Sequence, residues 1–186
     1  MEPYKTITGD TEDEVWKQIT ADLDTEEDLF EYYALIEQGN REIKLAIDID
    51  LGGGFEGGYE TTSFTALLPN YHGFKFAIHE DSFIDDIGKF FGLQDVEVGY
   101  PELDRHLIIK TNDEDKVKTV FADSKVRAIF EKLQDFDFGI RHHHDDDSDS
   151  EQNFLELNID DGITNPIVLR KLYNAFFTVL VTIDGY

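Results

Sequence analysis

Cysteine is absent from the 186 residues, which removes disulfides, thiolate nucleophiles and every zinc site built on Cys ligands and makes a cytoplasmic address the expectation. Positive charge is scarce. Sixteen Lys and Arg stand against 41 Asp and Glu, a formal net charge of −25. Nucleic-acid binding rests on neutralising phosphates with cations, so direct contact with DNA or RNA is the function this balance excludes most strongly. Long apolar runs are missing too: the longest, Ala175 to Ile183, is broken by Thr178 and Thr182 and falls short of the ~20 residues that cross a bilayer. No membrane span is expected. The opening Met1-Glu2-Pro3-Tyr4-Lys5-Thr6 has neither the basic nor the apolar stretch of a secretory signal.

What is present suffices for a core: 40% apolar residues with fifteen Phe and eight Tyr can fill a domain of this length without covalent staples. Residues 1–9 read as a lead-in. Thr11-Glu12-Asp13-Glu14 is a capping box that opens a helix with Val15, Trp16, Ile19 and Leu23 on one face. Phe30, Tyr32, Ala34 and Ile36 alternate, as do Ile43, Leu45, Ile47, Ile49 and Leu51, and Gln38-Gly39-Asn40 between them is turn chemistry. Further strands are expected over Tyr59 to Leu68 and Phe74 to Ile78, so that three or four antiparallel strands follow one another as a meander. A short helix with Phe83, Ile84, Ile87, Phe90 and Phe91, ended by Gly92, comes next.

Val96 and Val98 suggest a short strand and Leu107 to Lys110 a better one. Two helices should follow, one capped at Asn112 or Asp113 and the other opened by Ser124. Phe136 to Arg141 and Phe154 to Ile159 read as a hairpin around a mobile acidic loop at 142–152, and Asn165-Pro166 starts a last helix that is apolar on most sides and must be buried. The expected architecture is one α+β domain over 1–186, an antiparallel sheet packed on several helices, divisible into two sub-lobes near 99–101.

From Leu103-Asp104-Arg105-His106-Leu107-Ile108-Ile109-Lys110-Thr111-Asn112-Asp113, through the helix pair and the acidic hairpin to the closing helix, the order of elements resembles a module of uncharacterised bacterial α+β proteins. The resemblance covers somewhat under half of the chain. It implies the fold and a bacterial source and brings no activity, cofactor or catalytic residue.

Each motif with chemical potential has a plainer counterpart. His142, His143 and His144, followed by Asp145, Asp146 and Asp147, offer metal ligands, yet alternation along a strand and mobility in a loop both work against a preorganised site. Calcium on Asp145, Asp147 and Asp149 lacks the glycine turn and terminal glutamate of an EF-hand loop. Gly52 to Gly58 resembles a phosphate cradle only in glycine content, since no Lys-Ser or Lys-Thr follows and Glu56 would repel the anion; a wide hairpin turn explains it better. His72, His79 and His106 have Glu80, Asp81 and Asp104 near them in sequence, so an acid-base pair for a small hydrolase or ligand-binding enzyme is one reading. No cofactor is expected.

Carboxylates at helix starts account for part of the acidic excess. The remainder fits a non-enzymatic protein that binds and occludes a basic macromolecular partner, as an immunity or antitoxin-like protein does, with acidic groups steering the encounter. Phe55, Tyr59 and Tyr71, with Glu56 beside them, are the aromatic anchors this reading selects, and Asp145, Asp146 and Asp147 add charge. A housekeeping subunit whose acidity reflects its proteome is the blandest alternative.

Overall fold

The computed structural model describes residues 4–25, 29–53, 57–69, 72–80, 93–144 and 151–185. Strand β1 (Lys5–Gly9) leads into helix α1 (Glu12–Leu23), and strand β2 (Glu31–Gln38) returns parallel to β1, the arrangement that a helical crossover permits. The capping box is formed as read: the Thr11 side chain accepts from the Glu14 backbone N–H, and the Glu14 carboxylate accepts from Thr11 N and Asp10 N. β1 replaces the expected lead-in. It escapes periodicity because, as an edge strand, it sends a single side chain, Ile7, into the core.

Strands β3 (Arg41–Asp50) and β4 (Tyr59–Leu67) complete a meander with β2. Strand β5 (Phe76–Glu80) does not continue it. The hairpin of β8 (Phe136–His144) and β9 (Glu151–Ile159) lies between, and with β6 (Gln94–Asp95) and β7 (Leu107–Thr111) the sheet order is β1-β2-β3-β4-β9-β8-β5-β7-β6. Phe76, Ala77, Ile78 and His79 are all buried, so β5 needs an interior position; β8 flanks it on one side and β7 (Leu107–Thr111) on the other. Alternation in sequence identifies a strand but not its neighbour, which is why the meander was expected to run one strand too far.

β6 (Gln94–Asp95) ends the sheet, and helix α2 (Pro101–Asp104), not anticipated from sequence, follows it. Asp104 holds the approach to α2 by accepting from Val98 N and Gly99 N, both at 2.9 Å. Helices α3 (Glu114–Val120) and α4 (Ser124–Phe130) are capped by Asp113 and Asp123, and α5 (Pro166–Asp184) by Asn165. The expected helix carrying Phe83 to Phe91 lies outside the described residues.

One face of the sheet meets the helices through a chain of aromatic contacts. Trp16 of α1 stands edge-on to Tyr173 of α5 at 5.5 Å, Phe176 of α5 meets Phe64 at 5.8 Å and Phe138 at 6.2 Å, and Phe138 stacks on Phe130 of α4 at 4.8 Å. These pairs add to the area term that dominates burial. α5 is long and apolar enough to cross a membrane by length and composition. One side of it is already buried in the shared core, through Leu169, Leu172, Tyr173, Phe176, Val179 and Leu180, while Ile167, Val168 and Val181 are exposed.

Candidate functional site

Because side chains alternate along a strand, the buried positions of β2, β3, β4, β9 and β8 fix what stands on the other face. The register there runs Tyr33, Ala46, Ser63, Asn158, Asp137 and His79 from β2 to β5. From β2 through β8 this row is only partly buried, and it carries hydroxyl, amide and carboxylate groups. Polar groups on half-exposed strands can keep their hydration, so a sheet with one wet face is stable.

The end of the meander where β2 begins, β3 ends and β4 begins is distinctive. Phe30, Leu51 and Tyr59 are 44%, 70% and 52% exposed, large apolar side chains gathered at that one end. Phe30 and Leu51 follow the alternation of the helix-covered face, Tyr59 that of the open face. Among them stand Glu31, Asp48, Asp50 and Glu60, with Glu31 opposite Asp48 and Asp50 opposite Tyr59 in register. The glycine loop keeps its two ends close: Gly52 N donates to Asp50 at 2.8 Å with φ of +68°, and a Cβ on Gly58 would lie 2.2 Å from the Asp50 carbonyl. Only glycine fits both places.

The ion pairs among the described residues lie elsewhere. Lys5 pairs with Asp22, Arg41 with Asp184, Lys110 with Asp95, Arg127 with Glu102, Arg141 with Asp137, and Arg170 with both Glu12 and Asp13. Among the described residues no Lys or Arg pairs with Glu31, Asp48, Asp50 or Glu60. The local field is accordingly negative. Tyr33 donates to Asp48 at 3.2 Å, and its phenol is pushed up to about 12, first by partial burial and then by the Asp48 and Glu31 carboxylates. The exposed Tyr59 phenol is raised as well, chiefly by Asp48.

Of the anchors selected from sequence, Tyr59 therefore sits in the acidic corner. Phe55, Glu56, Tyr71, Asp145, Asp146 and Asp147 lie outside the described residues. Phe30, Leu51, Tyr33 and Asp48 were missed. Their signal was present as the off-phase members of β2 and β3 and as apolar residues running past the strand ends, but alternation draws attention to the buried phase.

His142 and His143 belong to β8, opposite Asn153 and Gln152, so paired strands reach further into the expected 142–152 loop than the sequence boundaries suggest. Adjacent strand positions send their side chains to opposite faces. His143 contacts the Glu156 carboxylate and stands edge-on to Phe154 at 5.3 Å; the backbone of His144 pairs with Glu151. Among the described residues no three or more His, Asp or Glu side chains converge as metal ligands. His72, His79 and His106 are not brought together as a set either: His79 is buried near the end of β5, toward the exposed His106 that precedes the antiparallel β7, whereas exposed His72 precedes the opposite end of β5. Asp104, counted as their partner, is occupied by Val98 N and Gly99 N.

Compared with protein-family models, with curated proteins and with solved structures, the chain gives no match in any of the three.

Proposed function

We infer that this chain is a non-enzymatic interaction protein that binds and occludes a basic macromolecular partner, in the manner of an immunity or antitoxin-like protein. The observation that carries the reading is that Glu31, Asp48, Asp50 and Glu60, gathered at the meander end, have no Lys or Arg partner among the described residues while they flank the exposed Phe30, Leu51 and Tyr59. Exposed aromatic and aliphatic anchors ringed by charge of one sign are what a partner of opposite charge requires: the ring speeds and orients the encounter, and the anchors supply desolvated contact. Occlusion needs no reacting group, only coverage of the partner's cationic face. A bacterial, cytoplasmic setting belongs to the same proposal.

The test is capture from the native cell with a tag other than polyhistidine, given His142, His143 and His144, washed at low and at moderate salt and read by mass spectrometry. A basic protein in stoichiometric amount, lost as salt rises, is the expected result. Recovery of nothing specific at either salt removes the reading.

A further inference from the structure

Two arginines of the chain sit in the same kind of corner. The Arg127 guanidinium lies 3.8 Å from the centre of the Tyr100 ring, with the Glu102 carboxylate 3.6 Å from its Nε. Arg41 repeats this, 5.8 Å over Phe177 with Asp184 at 3.0 Å. Each arginine meets an aromatic face and a carboxylate at once. A planar cation gains from each at once, from the ring quadrupole and from charge-assisted hydrogen bonds.

Tyr33, Asp48 and Tyr59 on the open face have the same composition. Asp48 lies between two aromatic diagonal neighbours on the same face of the sheet: Tyr33 on β2, opposite Ala46, donates to it at 3.2 Å, and Tyr59 on β4, opposite Asp50, lies on its other side and has its phenol raised chiefly by the Asp48 charge. A third ring, Tyr4, stands edge-on to Tyr33 at 5.7 Å, and Lys44 already lies over it at 5.7 Å from the ring centre. Asp48 itself has no Lys or Arg partner among the described residues. Glu31 and Asp50 add negative charge.

We propose that the Tyr33, Asp48 and Tyr59 corner is a guanidinium site, in which an arginine of the basic partner stacks on the exposed Tyr59 ring and donates to the Asp48 carboxylate. This rests on the reading given under Proposed function and names the group that reading leaves open. Arginine fits better than lysine, because a guanidinium is planar, stacks and is weakly hydrated, whereas an ammonium is a compact, strongly hydrated charge. Tyr33 positions the carboxylate through its hydroxyl, and its own ring completes the wall of the corner.

The test uses the full chain and a probe small enough to report location, N-acetyl-arginine amide, titrated while the tyrosine ring signals are followed by NMR, with N-acetyl-lysine amide in parallel. The expected result is a saturable change concentrated at Tyr33 and Tyr59, stronger for the arginine probe, and about tenfold weaker binding in Asp48→Asn or Tyr59→Ala. Tyr59 is half exposed, so its replacement leaves the core intact and the experiment does not depend on the folding of the Asp48 variant. Changes spread evenly over every acidic cluster, equal response to both probes, or unaltered binding in the variants would each overturn the site. Failure of the broader reading looks different: the arginine probe then localises as stated, yet no basic protein is captured from the cell. Capture that is indifferent to Asp48→Asn refutes the site and spares the reading.

Discussion

The Tyr33 hydroxyl donates to Asp48 Oδ2 at 3.2 Å across the β2 and β3 strands, so that the carboxylate acts directly on the ionisation of the phenol, on the half-exposed face of the sheet. Removing the charge should release the phenols. In Asp48→Asn, a spectrophotometric alkaline titration should show Tyr33 ionising below its value of about 12 and Tyr59 moving down with it. Tyr32 and Tyr173, held up chiefly by burial, should stay where they are. An unchanged Tyr59 would mean that Asp48 does not dominate its surroundings.

Stability should fall as the solution becomes alkaline, and the sign follows from linkage. Tyr32, Tyr33 and Tyr173 all have folded values above the ordinary 10.0, so above about pH 10 the unfolded chain releases protons that the folded chain retains. Their contribution is complete below pH ~10 and is lost as pH rises toward and beyond ~12. Lys118, raised by its bond to Glu114, acts in the same direction. Urea unfolding at several alkaline pH values should therefore show a declining midpoint, less steep in Tyr32→Phe and Tyr173→Phe; equal slopes in those variants would contradict the assignment.

Gly139 lies tight against the paired strand β5. A Cβ there would lie 2.5 Å from the Phe76 carbonyl and 2.9 Å from Ala77 Cα, backbone atoms of the paired strand that cannot swing aside. Gly139→Ala should cost roughly 1–3 kcal/mol, the usual range for overpacking. Gly53→Ala, with nothing within 4 Å, should change stability by less than about 0.5 kcal/mol. Denaturant midpoints of the two variants measure the difference directly.

Apolar and ionic contributions of α5 separate in the same way. Phe176 is wholly buried between Phe64 and Phe138, and Phe176→Ala should cost about 3–5 kcal/mol. Arg170 joins α5 to the first turn of α1 through Glu12 and Asp13, but its side chain is 40% exposed. Arg170→Met should cost no more than about 1 kcal/mol, and less at high salt. Calorimetric melting at two ionic strengths would show a salt effect in the second comparison and none in the first.

Most strands and helices were legible because they declare themselves locally. Thr11 with Glu14, Asp113, and Asn165 with Pro166 open helices by side-chain hydrogen bonds to nearby N–H groups, and β3 alternates without a break. Strand neighbours did not declare themselves. Nothing in Phe76 to Glu80 says that β8, sixty residues on, will lie beside it, because register is settled by which apolar faces fill the core together. The site was half legible for a related reason: charge is visible in composition, but that Asp48 has no Lys or Arg partner among the described residues emerges only when strands from distant parts of the chain are set side by side. Tyr59 was found as an aromatic next to glycines; Phe30 and Leu51 were read as core because they continue the buried phase past the point where the helices cover it.

The most direct test of the account compares the native chain with one carrying Glu31→Gln, Asp48→Asn, Asp50→Asn and Glu60→Gln in parallel captures of basic protein from the native cell, at low and at moderate salt. The account predicts that the native chain retains its partner at low salt, that moderate salt releases it, and that the neutralised chain fails to hold it at either. Retention of the same partner by both chains, insensitive to salt, would contradict it.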